Sequence, residues 1–252
     1  MAPFRTEGVV LRVTNLGEAD RIITLYTPFN GKIRAAARGA RRIRNRLLSP
    51  TQLFTHGRYL IFSGKDLHSV SQAEIITPYQ EFRENLEMMA HASYICELLD
   101  TFTEEEQPST ELFALLLTAF ALGLQGRFSL AVRAFEVRLM QELGYAPQLY
   151  HCLSCGSAVS SGLSFSAEGG VLCSRCAPQF KGAVPLSNGT WELLKRLSEW
   201  DVGRFSILHP SAGALRELEQ LMRKYIDFRL DYPLKSLEFM EAVRAVPPRQ
   251  SD

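Results

Sequence analysis

Gly8-Val-Val-Leu-Arg-Val-Thr-Asn-Leu-Gly-Glu-Ala-Asp-Arg-Ile-Ile-Thr-Leu-Tyr-Thr-Pro-Phe-Asn-Gly-Lys-Ile-Arg-Ala-Ala36 decides the fold. Residues 8–13 are β-branched and apolar, and a two-residue period places Val9, Leu11 and Val13 on one face of a strand. After the Leu16-Gly17-Glu18 turn, residues 21–26 repeat the pattern. Thr27-Pro-Phe-Asn-Gly31 then supplies a Pro and an Asn-Gly, both turn-forming, and residues 32–36 return as a third strand. Two more strands fit residues 52–62 and 67–76, with Ser63-Gly-Lys-Asp66 turning between them. Five short antiparallel strands in about 80 residues describe a small closed barrel, of which the OB-fold is the commonest five-stranded form. An SH3-like barrel fits the strand count almost as well.

Beyond Pro78 the period changes. Phe82, Leu86, Met89, Ser93 and Cys96 lie three or four apart, so residues 81–100 read as one amphipathic helix. Glu104-Glu-Glu-Gln-Pro108 is a solvated connector, and Ser109 or Thr110 can cap the next helix. That helix, residues 111–124, is apolar all round and is expected at the centre of a bundle. Its 13-residue apolar stretch, residues 112–124, is too short to span a bilayer, which needs roughly 20. Ser129 is read as the cap of a third helix running to Leu143, stopped by Gly144 and Pro147. Residues 191–200 and 215–228 read as two further helices. The expected fold class is thus multidomain α+β: a five-stranded OB-fold barrel (1–79), a helical domain (80–150), an inserted four-cysteine module (151–182), and C-terminal helices packing on the helical domain (183–252).

Charge separates these parts. The chain has a formal net charge of +1, yet residues 1–80 hold 12 Lys and Arg against 5 Asp and Glu, and residues 81–252 hold 16 against 22. A basic front and an acidic back imply two surfaces with different partners, nucleic acid being the one suited to the front. The opening Met1-Ala-Pro-Phe-Arg-Thr-Glu lacks the layout of a secretory signal, so the expected location is the cytoplasm.

The most specific motif is Cys152-Leu-Ser-Cys155 followed, after 17 residues, by Cys173-Ser-Arg-Cys176. This spacing is that of a four-thiolate zinc site: each C-x-x-C aims two sulfurs at one ion, and the two pairs complete a tetrahedron. Gly156, Gly169 and Gly170 provide the turns. Disulfides would suit a secreted chain, and a thioredoxin-type pair would need a βαβ pattern. An iron–sulfur cluster takes the same four thiolates, and spacing alone does not separate it from one structural zinc. Four thiolates close the coordination sphere, which excludes a catalytic role for the ion. Cys96, on an apolar helix face, reads as a core residue.

The second motif is Lys32, Arg34, Arg38, Arg41, Arg42, Arg44 and Arg46, seven cations in fifteen residues with no acid among them. A run of charge is ordinarily a solvated face. Here arginine predominates, and its planar fork binds phosphate in bidentate fashion and stacks on bases. The run is therefore the candidate nucleic-acid contact, with Tyr26, Phe29, Tyr59 and Phe62 as possible stacking rings or core residues. No nucleotide-binding loop, nucleophile elbow or H-E-x-x-H occurs, and the histidines (His56, His68, His91, His151, His209) are scattered, so no enzyme is expected.

Together, Glu7-Gly-Val-Val-Leu-Arg12, Gly17-Glu-Ala-Asp-Arg21, Gly31-Lys-Ile-Arg34 and Ala37-Arg-Gly-Ala-Arg-Arg42 resemble the N-terminal pattern of the bacterial RecO family. The order of parts matches over nearly the whole chain, and the four cysteines resemble that family's zinc-bearing branch. The resemblance implies a recombination mediator that binds single- and double-stranded DNA and anneals complementary strands without ATP. It implies action with RecR to help RecA load on strands covered by single-strand-binding protein (SSB), a nucleoid-associated location, and Lys32, Arg34, Arg38, Arg41 and Arg42 as the DNA contacts. It also implies that SSB is engaged through its acidic, hydrophobic-ended tail. One reading of Leu215, Leu218, Met222 and Tyr225, with Arg216, Arg223, Lys224 and Arg229 nearby, is a groove for that tail; the other is an ordinary amphipathic helix docked on the bundle. The rival function is a zinc-ribbon RNA-binding or transcriptional regulatory protein, and a zinc hydrolase would need an open metal position.

Overall fold

The computed structural model describes residues 3–245. Residues 1–2 and 246–252, the outer ends of the expected first and last segments, lie outside the described residues. The chain forms two compact units, one of residues up to 114 together with those from 234 on, the other of residues 115–233.

In the first unit, β1 (Pro3–Leu16), β2 (Asp20–Thr27), β3 (Gly31–Ala37), β4 (His56–Phe62) and β5 (His68–Thr77) close into a barrel in the order β1-β2-β3-β5-β4. Neighbours run antiparallel except β3 and β5, which meet in parallel at Ala35–His68 and Ala36–Ser69. This order is that of an OB-fold and removes the SH3-like alternative. The interior is filled by Val10, Ile23, Leu25, Ile33, Ala35, Ala37, Tyr59, Ile61 and Val70.

Two sequence expectations are corrected in this unit. Val9, Leu11 and Val13 do not share a face: Val10 pairs with Leu25 and Arg12 with Thr24, so Leu11 is an extra residue on β1. That bulge turns Val10 and Val13 inward together and breaks the simple alternation. The fourth strand starts at His56, not at residue 52, because Phe54 adopts φ 69° and bends the chain before pairing with β1 resumes.

The single helix expected over 81–100 is two, α1 (Glu81–Glu84) and α2 (Leu86–Phe102). Asn85 stands extended between them and its side chain accepts a hydrogen bond from the Met88 N–H, capping α2. Leu86 is 59% exposed, while Ala92, Ile95, Leu98 and Leu99 are buried, so the buried face of α2 is broader than the expected stripe. It is covered by β1 and by α7 (Lys235–Ala245), a helix absent from the sequence reading. Glu97 joins the two helices, accepting from the Lys235 and Ser236 N–H groups at the start of α7 (3.0 and 2.7 Å).

α3 (Thr110–Leu124) is capped by Ser109, whose Oγ accepts from the Leu112 N–H at 3.1 Å. It continues into the second unit, where α4 (Phe128–Glu142) rather than α3 is the most enclosed helix. The hydropathy of α4 hides this because it carries Arg133 and Glu136. These pair at 2.9 Å one turn apart, and mutual compensation lets both be buried. The residue at the N-cap of α4 is Arg127, which makes no side-chain cap, so Ser129 is not the cap expected. The C-terminal stop is at Gly144: its φ is 81°, its N–H bonds to Gln141 O, and the Tyr145 N–H bonds to Met140 O. α5 (Asn188–Glu199) and α6 (Ala212–Asp227) pack on α4 and on each other. Between α4 and α5 lies a small sheet, β7-β6-β8, from β6 (Leu163–Ser166), β7 (Gly170–Leu172) and β8 (Val184–Leu186). No helix among the described residues is long and apolar enough to cross a membrane.

Candidate nucleic-acid interface and metal centre

Six of the seven cations stand where a large polyanion can reach them. Arg34, on β3, and Arg38, Arg41, Arg42, Arg44 and Arg46, in the β3–β4 loop, are all exposed. The loop has no regular secondary structure, yet it is held at many points. Its backbone advances in linked turns, Arg42 N–H to Gly39 O, Asn45 N–H to Arg42 O and Leu48 N–H to Asn45 O, each near 3 Å. Asp20 Oδ1 accepts from the Gly39 N–H at 2.7 Å, and Arg41 donates through its main chain to Ala19 O and through Nη1 to Gly17 O. Gly39 sits at φ 67°, a left-handed conformation that favours glycine, while the nearest obstacle to a Cβ, Asn45 Nδ2, is the mobile end of a side chain. Ala40 and Leu47 complete the barrel core, which fixes the loop's inner side. Arg21 supports it from beneath, donating to Leu48 O and Thr51 Oγ1 (3.1 and 3.3 Å). Burial, then the neighbouring Arg41, lower the pKa of Arg21, the second effect reflecting the positive potential of this end of the barrel.

Lys32 is different: the fold encloses it, whereas the other six cations of the run are exposed. It is only 9% exposed. Its ammonium donates to Asp100 O at 2.5 Å and Thr103 O at 2.6 Å, and pairs with Asp100 Oδ1 at 3.2 Å. All three N–H groups are thus engaged at the C-terminal end of α2, where a cation also meets the negative pole of the helix. Arg12, which the sequence reading left out, is exposed on the outer barrel face in line with Arg34, both registering against Thr24. Its signal was present in the outward phase of β1. Of the four rings considered, Tyr26 and Tyr59 are buried and unavailable for stacking, while Phe29 and Phe62 are accessible. Phe29 borders a cleft of about 440 Å³ on another part of the barrel wall, with Arg5, Arg58, Glu7 and Glu74. Its mixed charge sets it apart from the acid-free loop.

The cysteines converge as the spacing requires. The four Sγ atoms of Cys152, Cys155, Cys173 and Cys176 all lie within 4.8 Å of one another, and Cys155 and Cys173 are 3.9 Å apart. Sulfurs at about 2.3 Å from a tetrahedral zinc are about 3.8 Å from each other, so the donor set fits a metal ion such as zinc. Each C-x-x-C is closed by backbone bonds, Gly156 N–H to Cys152 O (2.9 Å) and Cys176 N–H to Cys173 O (3.1 Å). Burial pushes the Cys152 thiol up, but N–H groups of Cys155, Cys173 and Ser154 outweigh it and hold its pKa at about 6, favouring the thiolate that a metal binds. The first knuckle is strapped to β7 through Leu153 N–H to Val171 O, and Trp191 Nε1 of α5 donates to Leu149 O just before it. His151 pairs with Ala158 in an isolated bridge and is not part of the cluster. Cys96 is fully enclosed in α2, where burial raises its thiol pKa, as a core residue requires.

The apolar stripe of α6 is not an open groove. Leu218, Met222 and Tyr225 are buried against neighbours within the second unit. Arg229 lies over the Tyr225 ring at 3.5 Å and donates to Ala167 O and Tyr225 O. The docked amphipathic helix is therefore the reading that holds for this stripe.

Known proteins resemble the chain along nearly its whole length. The family model described as Recombination protein O N terminal matches residues 1–79, and that described as Recombination protein O C terminal matches residues 83–238. A DNA repair protein RecO from Symbiobacterium thermophilum is 40% identical over 251 residues, covering 97% of this chain and 99% of that protein. One from Roseiflexus sp. is 36% identical, covering 96% and 86%. Another from Bacillus pumilus is 32% identical, covering 96% and 95%.

Proposed function

The chain belongs to the RecO family, and from that premise we propose that it is a DNA-binding mediator of recombinational repair with no catalytic centre of its own. It anneals complementary strands and, with RecR, assists RecA loading on single strands coated by SSB, whose C-terminal tail it engages. It works in the cytoplasm at the nucleoid. The observation that carries this reading is the braced, acid-free loop presenting Arg38, Arg41, Arg42, Arg44 and Arg46 beside Arg34. Cations on a preformed loop neutralise phosphates without the cost of ordering its backbone, and release of counterions supplies the affinity. Neutralised strands repel each other less while their bases stay free to pair, so annealing needs no nucleotide hydrolysis. Cys152, Cys155, Cys173 and Cys176 hold one zinc, which cross-links the two knuckles and takes no part in DNA chemistry.

The test is annealing of SSB-coated complementary strands by the purified protein in the absence of ATP. Acceleration is expected, with loss on replacing Arg38, Arg41 and Arg42 together by Glu. A triple variant as active as the wild type would remove the loop from the function. Stronger binding to RNA than to single-stranded DNA would favour the zinc-ribbon RNA-binding alternative.

A further inference from the structure

Ile43 is 91% exposed, the most exposed large apolar side chain among the described residues. A single surface isoleucine is ordinary in itself. This one sits inside Arg41-Arg42-Ile43-Arg44, between guanidinium groups that are all exposed. The turn that carries it is closed on both sides, by Arg42 N–H to Gly39 O and by Asn45 N–H to Arg42 O. The loop's apolar anchors in the barrel core are Ala40 and Leu47, and Ile43 is not among them. Being β-branched, it is stiff as well as apolar.

We propose that Ile43 is a wedge that inserts between adjacent bases of a DNA strand while Arg42 and Arg44 hold phosphates on either side of it. The inference rests on the loop's being the DNA contact. Phosphate neutralisation alone gives no reason for an apolar tip, since an isoleucine facing the sugar-phosphate backbone stays wet. Between two bases it is buried against aromatic faces, as the apolar wedges of architectural DNA-binding proteins are. Opening a base step costs least where the base is unpaired, so the wedge biases the loop toward single strands over duplex. A base unstacked in this way keeps its pairing edge free, which suits a protein that anneals.

The experiment uses the full chain and a single-stranded oligonucleotide carrying 2-aminopurine, whose fluorescence rises when it is unstacked. The wild type is expected to raise the signal. Ile43→Ala is expected to lose the rise and to bind about tenfold more weakly, the loss of most of one buried apolar side chain. Its slope of log affinity against log salt should be unchanged, because every phosphate-binding cation is still in place. Ile43→Leu should keep both signal and affinity, and neither variant should alter the thermal midpoint. Arg42→Glu with Arg44→Glu should instead reduce the salt slope. An Ile43→Ala protein with the full fluorescence rise and wild-type affinity overturns the wedge, as does one whose salt slope falls. If the double arginine reversal also binds as the wild type does, it is the DNA-contact reading of the loop that has failed.

Discussion

Lys32→Met separates a structural lysine from a DNA-binding one. Methionine matches the length and apolar stem of lysine and removes only the ammonium. In the wild type that ammonium satisfies the carbonyls of Asp100 and Thr103 and pairs with the Asp100 carboxylate, which is itself largely buried. Removing one partner of a buried ion pair costs about 3–5 kcal/mol, because the remaining charge is stranded. Arg12 still approaches Asp100 at 3.5 Å, which places the cost at the lower end, about 3 kcal/mol. With a urea dependence of about 2 kcal/mol per M, the unfolding midpoint should fall by about 1.5 M. Adding Asp100→Asn should recover at least about 1 kcal/mol by removing the stranded charge. Under native conditions the folded variant should bind single-stranded DNA with the affinity and salt slope of the wild type. A variant that unfolds at the wild-type midpoint would refute the buried network. One that is stable but shows a salt slope reduced by about 0.7 would make Lys32 a phosphate contact after all.

Single replacement of Arg38 or Arg42 by Ala should lower the salt slope on single strands by about 0.7 for each phosphate no longer neutralised, leaving the free energy of unfolding within about 0.5 kcal/mol of the wild type. Elemental analysis of the purified protein should find about one zinc per chain, and Cys155→Ser should lose most of it while DNA binding through the barrel survives; iron in its place, or no metal, would overturn the assignment. Glu217 accepts hydrogen bonds from the Ser187 N–H and Oγ and from Thr190 Oγ1 (2.6, 2.5 and 2.7 Å) at the start of α5. Burial raises its pKa, but these bonds to the carboxylate outweigh it and leave the pKa below the ordinary value. Its contribution is therefore present above the unfolded pKa of about 4.3 and is lost as pH falls through the lower folded value. Glu217→Gln should cost about 1–2 kcal/mol at neutral pH, with the gap from the wild type closing in acid.

Much of this was legible in the chain because local rules set it. Apolar alternation and turn residues are properties of neighbouring positions, and they located all five barrel strands. The C-x-x-C pairs carry their own geometry, so the four cysteines that converge in the fold could be named by residue number before any fold was known. The acid-free cation run likewise marked a basic surface. What spacing could not supply was the environment of each side chain. Lys32 stands two residues from Arg34 in the same strand and the same outward phase. Only the arrival of the α2 C-terminus, 68 residues further on, makes one a buried structural cation and leaves the other exposed. The bulge at Leu11 shows the same limit, since an extra residue in one strand is defined only by its partner strand. The enclosure of α4 was hidden because hydropathy counts Arg133 and Glu136 as polar singly, whereas within the fold they compensate each other. α7 escaped notice because its burial comes from α2, far away in sequence. Local pattern determined which segments become strands, helices and knuckles; tertiary contact decided which charges face water, because desolvation and pairing depend on groups that the chain brings together only when it folds.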